Sequence, residues 1–196
     1  MTLPNRLTLV RIGLAPLFVV AVALGHFYAY LAALGLLVLV ALTDLADGRI
    51  ARKTGTRSAF GEFADPLADK LFVVTALLSF AAVDAVPWWL ALIVIWRELI
   101  VTTLRAYAAH RGVDIPPSKL GKAKTLLQMV AVLAVLAYLT ARSGLPVLGW
   151  GSVDEGCRIG YLVILGVSVA QTVVSGIHYI WQARGLLRGG IRGEED

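Results

Sequence analysis

Asp44-Leu45-Ala46-Asp47-Gly48-Arg49-Ile50-Ala51-Arg52, followed after eight residues by Gly61-Glu62-Phe63-Ala64-Asp65-Pro66-Leu67-Ala68-Asp69-Lys70, decides how this chain is read. Four aspartates fall at the ends of two long apolar runs. Asp44 and Asp47 are spaced i, i+3 and Asp65 and Asp69 i, i+4, so on helices each pair projects from one face, and two such faces can converge. Four close negative charges in a poorly solvated place require cations. Ligation by carboxylate oxygen alone suits two hard divalent ions, Mg²⁺ or Mn²⁺. A metal pair of that kind neutralises a pyrophosphate and supports phosphoryl displacement. Gly48, Ala51 and Gly61 leave room for a base or phosphate to approach the backbone. Helix capping accounts for one or two of these aspartates, Asp65 before Pro66 for instance, but not for four interleaved with small residues.

Outside this stretch the chain is apolar. Of its 196 residues 58% are hydrophobic and 16% charged, and the mean hydropathy is +0.77. A chain of this composition has lipid as its solvent. Runs long enough for a bilayer core of about 30 Å extend over approximately Leu7 to Leu24, Tyr28 to Ala46, Leu67 to Val83, Trp88 to Tyr107, Leu120 to Thr140 and Ile159 to Trp181. The first resembles a signal peptide in its flanking arginines, but five other spans would survive its removal. Six spans put both termini on one side. Of the 18 Lys and Arg residues, all but Arg142 and Arg158 fall on that side, which marks it as cytoplasmic. The expected fold is an all-α integral membrane protein with six transmembrane helices and both termini cytoplasmic.

The single Cys157 excludes an intramolecular disulfide, and no Cys/His spacing suits zinc. No repeat or linker divides the chain, so residues 1–196 read as one domain. The net charge of +5 is spread over short loops without a nucleic-acid-binding fold, and membrane headgroups account for most of it; nucleic acid is not an expected partner. The cations near the spans need anions. Arg97 and Arg105 lie eight apart on nearly one helical face, and Lys122 and Lys124 open the fifth span beside the same surface, a cluster suited to a phosphomonoester dianion. Lys119 reads equally as part of that cluster or as a topology determinant. Asn5 and Thr8 either cap the first helix or help hold a nucleotide. Trp88, Trp89, Trp150 and Trp181 read as interfacial anchors, and Gly160, Gly166 and Ala170 as sites of close helix packing.

From Asp44 to Asp69 the residues match D-x2-D-G-x2-A-R-x8-G-x3-D-x3-D at every specified position. The chain therefore resembles the CDP-alcohol phosphatidyltransferases. The resemblance implies a six-helix membrane enzyme in which an acceptor hydroxyl attacks the β-phosphorus of a CDP-linked lipid and CMP leaves. Carried over residue by residue, it implies metal ligands at Asp44, Asp47, Asp65 and Asp69, with Asp69 also the general base. It places Gly48, Ala51 and Gly61 at the cytidine, and Arg52 at the donor phosphates. Pro4-Asn5-Arg6-Leu7-Thr8 and Ser118-Lys119-Leu120-Gly121-Lys122-Ala123-Lys124-Thr125 with Gln128, together with Arg97-Glu98 and Arg105, resemble the members that use glycerol 3-phosphate as acceptor and CDP-diacylglycerol as donor. A homodimer is likewise implied, and a bacterial plasma membrane is the expected location because it fits the compact chain with no targeting extension. Another acceptor, such as inositol phosphate or phosphatidylglycerol, is the nearest rival. A magnesium-dependent prenyltransferase would have more spans and other acidic motifs. A cation transporter would leave the glycines, Arg52 and the basic cluster unexplained.

Overall fold

The structure is a computed structural model that describes the backbone of residues 3–54, 59–110, 119–144 and 151–192. Side chains are described over residues 10–43, 70–109, 123–144, 153–181 and 183–184. Within these the secondary structure is entirely helical: α1 Leu3–Ala23, α2 Phe27–Thr54, α3 Ala59–Ala82, α4 Trp88–His110, α5 Lys119–Gly144 and α6 Gly151–Arg192. Four of the expected spans lie inside one helix, those ending at Leu24 and Val83 pass the ends of α1 and α3 by one residue, and every helix outruns its apolar run on at least one side. α3 begins eight residues before Leu67, so Asp65 lies within a helix and not at its start. The helical backbone through residues 44–47 and 65–69 gives both aspartate pairs the spacing on which their shared faces depend.

The helices alternate in direction and close a ring in the order α1, α3, α4, α6, α5, α2, with α3 also meeting α5 across the middle. Apolar side chains from all six fill the interior. Phe18 of α1 packs edge-on against Phe72 and Phe80 of α3, with ring centroids 5.2 and 6.0 Å apart. Turns at 24–26 and 83–87 link neighbours at one end, where Gly25 and Asp84 adopt positive φ. At the same end a Cβ on Gly144 would lie 2.5 Å from the Phe27 ring, so α5 closes on α2 only because glycine stands there. Gly160 and Gly166 meet no neighbour. The close approach along α6 falls instead at Gly176.

Large apolar side chains also cover the outside of the ring, including Leu17, Leu42, Trp88, Leu126, Val163 and Ile177. Two stretches, Ala123–Gly144 and Val153–Trp181, are long and apolar enough to cross a membrane. Shorter apolar helices run over Val10–Ala23, Phe27–Thr43 and Lys70–Ala82. An apolar exterior around a packed core is the arrangement of a membrane protein.

Candidate functional site

The four aspartates belong to the end of the bundle where α2 leaves the ring and α3 enters it. Lys70, immediately after Asp69, is the first described side chain beyond the motif, and it reaches across to α4 to donate a hydrogen bond to Thr102 Oγ1. It thereby joins the motif to a buried charge cluster.

Glu98 of α4 is the centre of that cluster and is only 6% exposed. Its Oε1 accepts a hydrogen bond from Lys124 Nζ of α5, itself buried, and another from Arg97 Nη1 at 3.2 Å. Lys70 Nζ stands 3.9 Å from Oε2, near enough for charge attraction and too far for a hydrogen bond. Glu98 Oε2 has no hydrogen-bond partner among the described residues. One carboxylate thus serves three cations in a setting where an unbalanced charge is costly.

Lys70, Glu98, Arg105, Lys124, Thr125 and Gln128 line a cavity of about 180 Å³ over an apolar wall of Val73, Val74 and Val94. Arg105 also rests over the Tyr179 ring, 5.8 Å from its centroid. Gln128 donates through Nε2 to Thr172 Oγ1 at 3.2 Å, which fixes α5 against α6. Three cations and one carboxylate face this space, so a dianion of phosphomonoester type would balance the charge that remains.

Of the basic cluster expected from the sequence, Lys124 and Arg105 meet at this cavity. Arg97 turns the other way. Its Nη2 donates to Ser175 Oγ at 3.0 Å, and its stem lies across α6 where a Cβ on Gly176 would come within 3.0 Å of Arg97 Cγ. It lines a separate apolar cleft of about 470 Å³ between α4 and α6, flanked by Trp89, Trp96 and Ile177. Arg97 therefore touches the cavity through Glu98 and not directly.

The side chains of Asn5, Thr8, Asp44, Asp47, Gly48, Ala51, Arg52, Gly61, Asp65, Asp69 and Lys122 lie outside the described residues. Among the described residues no group of three or more His, Cys, Asp or Glu side chains is placed to hold a metal. The polar stripe on α6 was not anticipated. Ser168, Thr172 and Ser175 are buried and follow the helical period, with Tyr179 next on the same face; a period of hydroxyls inside an apolar run is the signal that marks it. Thr102 on α4 was missed for want of any such pattern.

A family model described as CDP-alcohol phosphatidyltransferase matches residues 1–177. A protein of Mycobacterium tuberculosis (strain ATCC 25618 / H37Rv) named "Probable phosphatidylglycerophosphate synthase" is 35% identical over 195 residues, covering 97% of this chain and 85% of that protein. The "CDP-diacylglycerol--glycerol-3-phosphate 3-phosphatidyltransferase" of Bacillus subtilis (strain 168) is 36% identical over 199 residues, covering 92% of this chain and 96% of that protein. A Rickettsia bellii (strain RML369-C) protein with the same name is 35% identical over 185 residues, with coverage of 90% and 92%. A family match over most of the chain and relatives aligned nearly end to end lead to one assignment: the chain belongs to the CDP-alcohol phosphatidyltransferase family, whose enzymes transfer phosphatidyl groups.

Proposed function

We propose that this chain transfers the phosphatidyl group of CDP-diacylglycerol to glycerol 3-phosphate, forming phosphatidylglycerophosphate and releasing CMP. The observation that carries this reading is the cation-rich cavity that begins one residue beyond the aspartate motif. A dianionic acceptor fits its surplus charge and a neutral alcohol does not. The names of the Bacillus and Rickettsia relatives point to the same donor and acceptor. The enzyme is a multi-pass protein of the plasma membrane. All six helices are 21 residues or longer, enough for about 30 Å, and the asymmetry of Lys and Arg puts both termini and the active site on the cytoplasmic side. It works as a homodimer in this reading, which rests on family resemblance alone.

The donor set suits divalent metal. Asp44, Asp47, Asp65 and Asp69 offer only hard carboxylate oxygens from two consecutive helices with helical backbone at both pairs, as Mg²⁺ or Mn²⁺ requires. A metal pair held there supplies positive charge to the pyrophosphate and to the oxygen that departs with CMP. Gly48, Ala51 and Gly61 admit the cytidine, Arg52 meets the donor phosphates, and Asn5 and Thr8 steady the nucleotide. Arg105, Lys122 and Lys124, joined by Lys70, hold the acceptor phosphate, while Arg97 braces Glu98. Asp69 takes the proton of the acceptor hydroxyl. As the hydroxyl oxygen bonds to the lipid-bearing phosphorus, the bond from that phosphorus to the CMP oxygen breaks.

The test is CMP release from CDP-diacylglycerol by the enzyme in phospholipid vesicles, with glycerol 3-phosphate, inositol phosphate, phosphatidylglycerol and free glycerol offered in turn. Glycerol 3-phosphate is expected to support the fastest release, and only with divalent cation present. Equal turnover with free glycerol would overturn the acceptor assignment.

A further inference from the structure

Glu98 and Thr102 lie one turn apart on α4, and Arg105 follows seven residues after Glu98 on nearly the same face. That face touches two neighbours at once. Glu98 grips Lys124 from α5, and Thr102 accepts a hydrogen bond from Lys70 of α3. Resting on the reading of the cavity as the acceptor site, we infer that Glu98 and Thr102 are positioning residues of that site, holding one lysine from each neighbouring helix so that both ammonium groups stay on the cavity wall.

A lysine ends in a point charge on a four-carbon stem and has no geometry of its own, so two lysines make a defined cradle only when something fixes them. Glu98 is 94% buried by its 6% exposure, and it fixes Lys124 by a charged hydrogen bond. Its Oε2 has no hydrogen-bond partner among the described residues, with Lys70 Nζ 3.9 Å away. If Lys70 closed that gap, the carboxylate would be saturated and the cavity would lose a cation. The hydrogen bond to Thr102 opposes that closure. Arg97, held by Ser175 on its far side, keeps Glu98 from following the lysines. The result is a charge set that stays apart until a phosphate bridges it.

The experiment uses the whole enzyme in phospholipid vesicles, with CDP-diacylglycerol and glycerol 3-phosphate varied separately. Glu98→Gln is expected to raise acceptor KM about tenfold or more, with donor KM within about twofold of wild type. Glu98→Asp keeps the charge and is expected to recover most of that loss. Thr102→Val, at an exposed position, is expected to raise acceptor KM about threefold without shifting thermal unfolding. A folded Glu98→Gln enzyme with unchanged or lowered acceptor KM overturns the inference, as does Glu98→Asp no better than Glu98→Gln. If Glu98→Gln fails to fold, Thr102→Val decides alone: unchanged acceptor KM overturns the inference and the threefold rise supports it. Inorganic phosphate separates this from the underlying reading. Competition between phosphate and acceptor in wild type alongside normal variants sinks the positioning roles and leaves the acceptor site standing. Absence of competition in wild type sinks both.

Discussion

Glu98 and Asp154 are both carboxylates that tie helices together through basic partners, yet they work in opposite electrical settings. Asp154, at the start of α6, accepts a hydrogen bond from Tyr138 at 2.8 Å and faces Arg142 Nε at 3.4 Å. The Arg142 side chain is 59% exposed, so one anion meets one cation at the edge of solvent. Behind them Tyr138 packs on Tyr161 with centroids 4.8 Å apart, and Tyr161 donates to the Ala85 carbonyl at 2.6 Å, closing α5 and α6 over the turn between α3 and α4. Each of these groups has a partner. Glu98 sits among Lys124, Arg97 and Lys70 with Arg105 lining the same cavity, and both it and Lys124 are buried. The difference separates two uses of charge: a matched pair near solvent fastens the bundle, whereas an excess of cations gathered around one buried carboxylate favours a bound anion.

The comparison breaks most severely at the motif. Asp44→Asn, Asp47→Asn, Asp65→Asn and Asp69→Asn are each expected to lower turnover by more than about a hundredfold while the protein still inserts, because each removes a ligand charge. Near-wild-type turnover in two of them at saturating Mg²⁺ and Mn²⁺ would detach the motif from the chemistry. Gly48→Leu is expected to weaken CDP-diacylglycerol binding before acceptor use suffers, read by equilibrium binding of the donor. Arg105→Ala should raise acceptor KM about tenfold, and Lys119→Ala should do less. At the Asp154 end the effects change kind. Gly144→Ala pushes a methyl into the Phe27 ring and is expected to cost about 1–3 kcal/mol of stability. Arg142→Ala should cost below about 1 kcal/mol and leave kinetics unchanged. Thermal unfolding and CMP release, measured on the same samples, place each variant on one side of the comparison or the other.

The six helices were legible because long apolar runs are hard to mistake, although their ends were not. Charged and small residues extend α2, α3 and α6 past the apolar stretches, and no hydropathy pattern marks where such an extension stops. Lys124 and Arg105 were legible as a cluster because cations near apolar spans demand partners. Their organiser was less so: Glu98 stood out only as a neighbour of Arg97, and nothing in the sequence says that it bonds a lysine 26 positions away. Arg97 shows the limit of a helical-face argument. Eight residues put it near the face of Arg105, but Gly176 opens a groove on α6 and Ser175 offers an acceptor there, so the side chain leaves that face. Packing between helices decided it, and packing is not written in one helix's period.

The central claim is that the cation-rich cavity takes the phosphate of the acceptor. Lys124→Ala, assayed by steady-state CMP release in reconstituted vesicles with each substrate varied in turn, tests it most directly. The account predicts a loss of about ten- to a hundredfold in kcat/KM for glycerol 3-phosphate, with donor KM unchanged. A penalty confined to donor KM would assign the cavity to the CDP-lipid phosphates and contradict the account.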